Sequence, residues 1–349
     1  MTGRVGLGVI GAGYWGPNLV RNALAHPEIE LRWICDLDSD RAERLASGLI
    51  GVGSTDDLEV VLSDPAVEGV AIATPGPTHM AIAMAALAAG KHILVEKPLA
   101  HSLDDGLTIV RTAEELGLIV MCDHTFCYTG VVGAIRRLVR NGDLGSVQYF
   151  DSVRINLGLV QSDIDVFWDL APHDLSVLDY VLPPELVPVA VSAQGSDPLG
   201  IGQACVGYVT LTLSNGALAH AHLNWLSPTK VRTTILGGSD RMVVWNDLDQ
   251  TQKLSIYDTG VELATLGLEE RNQALVSYRT GDMVAPVVDT TEALYRVIEV
   301  FAESIRSGRP PITDGWSGIR VLEQLAAIEA SQKANGSRVD LAKSEASRL

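Results

Sequence analysis

The sequence predicts an α/β chain in two domains. A doubly wound parallel sheet occupies residues 1–124, and an α+β domain with a large, mostly antiparallel open sheet occupies residues 125–349. Three observations predict it. The 349 residues amount to two domains at roughly 150 each. Up to residue 124, short runs of Val, Ile and Leu alternate with helical patterns, as in βαβ units. From Val187 to about Tyr257 the chain is mostly β, with the hairpin signal Ser214-Asn215-Gly216 between two of its runs.

In the first domain the expected strands are Arg4–Ile10, Leu31–Cys35, Gly69–Ala73, His92–Val95 and Leu118–Cys122. Their nearly continuous apolar character fits strands covered on both faces. The helices between them are Tyr14–Ala25, Ser39–Ser47, Thr55–Leu62, Thr78–Ala89 and Leu103–Leu116; the last two stop at Gly90 and Gly117. In the second domain a helix Val131–Arg140 precedes the alternating strand Val147–Leu157 and a helix His173–Leu182. Strands follow at Val187–Ala193, Ala204–Leu213, Ala217–Leu226, Val231–Leu236 and Met242–Trp245. Helices Thr291–Ser307 and Ser317–Lys333 close the domain, leaving a polar, flexible tail over 337–349.

Forty-three acidic against 26 basic residues give a formal charge of −17. Such a surface repels phosphate backbones and anionic lipid, so neither nucleic acid nor membrane is expected as a partner. The apolar run Met80–Ala89 is far below the ~18–20 residues of a membrane span, and no signal-peptide pattern opens the chain. The four cysteines are too sparse for a disulfide scaffold. Cys122 and Cys127, with His124 between them, lack a second ligand pair, so no metal site is expected. The expected setting is the cytoplasm.

Gly11-Ala12-Gly13-Tyr14-Trp15-Gly16 follows the first strand directly and opens a helix. In that place a GxGxxG hexapeptide is a dinucleotide-binding turn: Gly11 makes the tight bend, Gly13 admits the pyrophosphate and Gly16 lets helix meet strand. Asp36 ends the second strand, 20 residues after Gly16, where an acid accepts from the adenosine ribose and repels a 2′-phosphate. NAD is therefore favoured over NADP. The alternative for Asp36 is capping the helix that starts near Ser39. Lys97, in Glu96-Lys97-Pro98, follows the strand His92–Val95 and so lies at the carboxyl edge where ligands of doubly wound sheets bind.

The strand-linked GAGYWG, the segment Ala73-Thr74-Pro75 through His79 and the Glu96-Lys97-Pro98 signature together resemble the Gfo/Idh/MocA oxidoreductase family. The closing Ser331 and Gly336-Ser337-Arg338-Val339 are similar to that family's last turn. The resemblance implies an N-terminal Rossmann domain binding NAD through the glycine loop (Tyr14 and Trp15 included), Asp36, Thr74, Pro75, His79, Glu96 and Lys97. It makes Lys97 an active-site residue whose bond to Pro98 is often cis. It also implies a C-terminal open sheet that forms dimer or tetramer contacts.

In the segment Trp168-Asp169-Leu170-Ala171-Pro172-His173, Pro172 suits a first turn, which predicts a helix starting near Asp169. Asp169 would then be a helix cap, or would join His173, held neutral by the positive helix end. The resemblance supplies the second role, because family members carry a D-x-x-x-H pair here that joins the lysine. Lys97, Asp169 and His173 are thus the implied catalytic set. The variant around Asp169 resembles the subgroup acting on nucleotide-linked sugars.

The implied reaction moves a hydride between a secondary alcohol carbon of the sugar, the third, and NAD. Inositol or free-aldose oxidation, and NAD-dependent glycoside cleavage, are the alternatives. Arg154 and Asn156 share a strand face and, with Tyr128 and Trp168, are the candidate substrate contacts, although His124-Thr125-Phe126-Cys127-Tyr128 departs from the family's commoner Arg-Phe-x-Pro pattern. His220 and His222 share a strand face that suits sheet or subunit contact.

Overall fold

The computed structural model describes residues 3–161, 164–263 and 276–341. Among these, residues up to Thr129 form one compact unit with Thr291–Ala326, and Gly130–Thr290 form the other with residues 327–341.

The first unit opens with β1 (Val5–Ile10), α1 (Gly16–Ala25), β2 (Ile29–Cys35), α2 (Ser39–Ala46), β3 (Gly53–Thr55) and α3 (Leu58–Ser63). It continues with β4 (Gly69–Ile72), α4 (His79–Ala88), β5 (His92–Glu96), α5 (Leu103–Leu116) and β6 (Val120–Asp123). The strands form one parallel sheet in the order β3-β2-β1-β4-β5-β6. The order reverses between β1 and β4, and ligands of such sheets bind beyond the carboxyl ends at that switch point. Burial of β1, β4 and β6 along their whole lengths explains their unbroken apolar runs. The short β3 has no apolar run of its own, and the helix expected over Thr55–Leu62 starts instead at Leu58, where the Asp57 carboxylate caps the Glu59 N–H.

The second unit contains α6 (Gly130–Arg140), β7 (Val147–Leu157), α7 (Val166–Val181), β8 (Pro188–Ser196), β9 (Val206–Leu213), β10 (Leu218–Asn224) and β11 (Leu226–Gly238). It goes on to β12 (Met242–Asn246), β13 (Leu254–Tyr257), β14 (Gly260–Leu263), β15 (Val276–Arg279), β16 (Met283–Val284) and, near the chain's end, β17 (Val339–Asp340). A nine-stranded sheet runs β16-β13-β12-β11-β7-β10-β9-β8-β17, antiparallel except where β7 meets β10, while β14 and β15 form a separate ladder. Part of the expected polar tail is therefore an edge strand: Val339 pairs with Val191 and Asp340 with Ala190. Residues 342–349 of that tail lie outside the described residues.

Helix α7 differs from expectation. It begins at Val166, not near Asp169, because the Asp165 carboxylate accepts from the N–H groups of both Phe167 and Trp168. Pro172 consequently sits inside the helix, where a proline costs about 3 kcal/mol. The double cap and the complete burial of Val166 and Phe167 offset that cost.

Helices α8 (Ala293–Ser307) and α9 (Gly315–Lys333) close the chain. Residues 291–326, expected in the second domain, belong to the first unit. The cause is the apolar face of α8: Leu294, Val297, Ile298 and Phe301 are buried, each worth about 1.5–3 kcal/mol. A Cβ on Gly69 of β4 would lie 3.0 Å from both Phe301 and Ile305. Arg21 of α1 also grips Glu292 through both guanidinium ends, at 2.8 and 2.6 Å. On α9, Leu322 and Ile319 close against Gly106 of α5.

Candidate active site

The glycine loop joins β1 to α1. Gly11 has φ of 102°, and a Cβ there would lie 2.6 Å from the Ala73 carbonyl oxygen. A Cβ on Gly16 would lie 2.0 Å from the Gly11 carbonyl oxygen, so only glycine lets the helix start this close to the strand. At Gly13 the space is open, as the approach of a pyrophosphate requires. Trp15, the residue before α1, makes no side-chain cap; Pro17 has no N–H to offer, and the Asn18 N–H donates to the Trp15 carbonyl at 2.9 Å.

The Asp36 carboxylate accepts from the Ala12 N–H at 2.7 Å and from the Asp38 N–H at 2.9 Å. Asp38 is what caps α2, accepting from the Arg41 N–H, so the capping alternative for Asp36 falls away. Asp36 stands at the carboxyl end of β2, tied to the loop through the Ala12 N–H. Tyr14 is 90% exposed on the loop. The loop and Asp36 thus fit a dinucleotide.

On the other side of the switch point, the Lys97–Pro98 peptide bond is cis. His79, expected at the cofactor, is buried: its Nδ1 lies 2.9 Å from the Pro98 carbonyl oxygen and its Nε2 2.9 Å from that of Thr74. It clasps the turn after β4 to the turn after β5, and burial pushes its pKa down. Thr78 donates to the Pro75 carbonyl at 2.7 Å, and its hydroxyl lies 2.7 Å from that of Thr74, stiffening that turn.

Glu96 and Asp123 are register partners at the ends of β5 and β6. Burial and the neighbouring acid raise Glu96 well above the ordinary carboxylate range. His124 is buried, and burial, reinforced by Arg320 and Lys97, pushes its pKa down to about 3. Tyr128, expected at the substrate, is instead buried with its hydroxyl 2.8 Å from the Thr313 hydroxyl; Thr313 in turn donates to the Cys122 carbonyl.

In the second unit, Asp169 and His173 are four residues apart on α7 and share a face. His173 lies about two turns into the helix, beyond the reach of the terminal dipole, so the expected dipole effect does not operate. Asp169 is not the cap. Its carboxylate accepts from the Trp225 indole N–H at 3.0 Å, and Trp225 is fully buried.

Arg154, expected as a substrate contact, is buried in a two-pronged ion pair with Asp174 at 3.0 and 2.8 Å. Ser152 donates to the same carboxylate at 2.9 Å. Arg154 and Ser152 therefore fasten α7, one residue beyond His173, to β7. Asn156 is half-buried on the same strand, and Trp168 is half-buried on α7. Tyr208 stacks on His222, with ring centroids 4.5 Å apart. Among the described residues no cluster of three His, Cys, Asp or Glu side chains could hold a metal ion, and no helix is long and apolar enough to cross a membrane.

Sequence reasoning missed Trp225, Asp174 and Asp123. Of these, only Asp123 left a local signal: an acid ending an otherwise apolar strand.

Two family models match this chain: the oxidoreductase family with NAD-binding Rossmann fold over residues 5–124, and the GFO/IDH/MocA C-terminal domain over residues 132–243. The chain belongs to the Gfo/Idh/MocA oxidoreductase family. It is an oxidoreductase, and its first unit is an NAD-binding Rossmann domain.

Among its relatives in the family, the UDP-N-acetylglucosamine 3-dehydrogenase of Acidithiobacillus ferrooxidans is 28% identical over 328 residues, covering 94% of this chain and 97% of that protein. A solved structure of that dehydrogenase, GnnA, superposes with a TM-score of 0.80 at 25% identity, covering 96% of this chain and 99% of the other. GenD2 from gentamicin A biosynthesis, solved in complex with NAD, shares the fold at a TM-score of 0.81 and 24% identity, covering 98% of this chain and 97% of its own.

Proposed function

We propose that this Gfo/Idh/MocA oxidoreductase transfers a hydride between NAD and the third carbon of a nucleotide-linked sugar, with Lys97, Asp169 and His173 around the reacting carbinol. The observation that carries the substrate is the match along nearly the whole chain to the UDP-N-acetylglucosamine 3-dehydrogenase. The glycine loop would hold the pyrophosphate and Asp36 the adenosine ribose, which favours NAD over NADP. NAD held there would supply the hydride acceptor for oxidation, and NADH the hydride donor for the reverse.

This chain's own groups manage the proton. His173 takes it from the sugar hydroxyl as general base, and Lys97 donates a hydrogen bond to the same oxygen as negative charge develops there. Asp169, anchored by Trp225, orients the histidine and the lysine. Positioned acid–base groups supply about 10²–10⁴-fold, and the remainder comes from holding the carbinol in place. The enzyme works as a homo-oligomer through its open sheet. Four free cysteines, all buried, suit the reducing cytoplasm.

The test is a panel of nucleotide sugars, free aldoses and cyclitols against NAD and NADP, read by absorbance of the reduced cofactor. The proposal expects NADH to accumulate with a nucleotide sugar. Turnover confined to free sugars or cyclitols would overturn the substrate. Glycoside cleavage without net NADH would overturn the reaction.

A further inference from the structure

The ends of β5 and β6 hold two acids that the proposed chemistry leaves unused. Glu96 and Asp123 pair in register; Asp123 is buried, and Glu96 is half-buried with its Oε1 shut off from solvent. Each has one satisfied oxygen: Glu96 Oε2 accepts from the Lys97 N–H at 3.2 Å, and Asp123 Oδ1 from the Thr125 hydroxyl at 2.8 Å. The other oxygens, Glu96 Oε1 and Asp123 Oδ2, are buried without a donor among the described residues. The Trp15 indole lies beside Asp123 but outside hydrogen-bond geometry.

Two adjacent carboxylates taken out of water cannot both stay ionised, and the two partnerless acceptor oxygens on these register partners call for a hydrogen. We propose that Glu96 and Asp123 share one proton, with Glu96 the donor and Asp123 the acceptor, and that the pair is a positioning element for Lys97. The proton satisfies both orphan oxygens at once. It leaves one negative charge at the base of the lysine turn, where Lys97 is the cation acting on both acids.

The other titratable neighbours are Cys122, which burial keeps as a thiol, and His124, which burial keeps neutral, so neither cancels that charge. Ligands of doubly wound sheets bind beyond the carboxyl ends of the strands, and the pair stands at those ends of β5 and β6. This function of the pair rests on the reading of Lys97 given above; the shared proton does not.

Infrared spectroscopy of the full-length protein at neutral pH tests the proton. A protonated-acid carbonyl band that shifts in D₂O is expected in the wild type and is lost in both Glu96→Gln and Asp123→Asn. A wild type without the band, or a band surviving both substitutions, overturns the pair.

Kinetics test the positioning. Each single variant keeps one carboxylate and loses about threefold in kcat. The double variant keeps none and loses at least about fiftyfold, more than the product of the singles. A double variant matching that product overturns the positioning role. Should the double variant not fold, the band still decides the pairing and the pH dependence of kcat in the singles decides the role: an unaltered profile supports it, a displaced one overturns it. An active Lys97→Met enzyme that retains the band would instead sink the reading of Lys97 and leave the shared proton standing.

Discussion

The Trp225 indole N–H donates to the Asp169 carboxylate across 3.0 Å, tying a residue between β10 and β11 to the face of α7 that also carries His173. Trp225 has no polar group other than this N–H to spend, and it is fully buried. Trp225→Phe is expected to lower kcat by about tenfold through a loosened Asp169, the scale of a hydrogen bond to a charged group. The Kd for NADH should stay within about twofold. Steady-state kinetics with fluorescence titration separate the two.

The Arg154–Asp174 pair has side chains only 6% and 3% exposed. Removing one partner strands the other charge in the interior, which costs about 3–5 kcal/mol. Arg154→Met and Asp174→Asn are each expected to lose that much in urea unfolding. A loss under about 1 kcal/mol would show that the buried pair does not hold α7 to β7.

Asp36 accepts from the Ala12 N–H, and the ribose role proposed for it would also exclude a 2′-phosphate. Asp36→Ala should raise the KM for NAD by loosening the glycine loop. It should also raise the ratio of kcat/KM for NADP to that for NAD by at least about tenfold. Equal use of the two cofactors by the wild type would contradict the ribose assignment.

His124 makes stability depend on acid. Its folded pKa, about 3, lies below the free value of 6.5, so below 6.5 the unfolded chain takes a proton that the folded one refuses. The contribution is complete above pH 6.5 and is lost as the pH falls toward 3, at about 1.4 kcal/mol per unit. Urea melts near pH 7, 6 and 5 should show wild type losing stability relative to His124→Leu at each step down. A constant difference across that range would contradict the burial of a neutral imidazole.

What was legible in the sequence was local. The glycine turn is readable because its own backbone demands it, Gly11 by its positive φ and Gly16 by its contact with the Gly11 carbonyl, and the apolar runs of β1, β4 and β6 reflect burial on both faces. Roles set by distant partners were not legible. Tyr128 reads as a ligand contact until Thr313 arrives from 185 residues away to take its hydroxyl. Arg154 reads the same way until Asp174 claims both arms of its guanidinium. Pro172 argues for a first turn, and only the cap by Asp165, with the burial of Val166 and Phe167, carries the helix back past it. Helix α8 lies in sequence with the second domain, but its apolar face is buried with β4.

The most direct measurement is rapid-mixing formation of NADH from saturating NAD and the nucleotide sugar that turns over, in wild type, Lys97→Met and His173→Ala. The account predicts that both variants bind NADH within about threefold of wild type and lose at least about a hundredfold in the hydride-transfer rate. A near-wild-type rate in either variant would contradict it, because the proton of the sugar hydroxyl would then be handled by other groups.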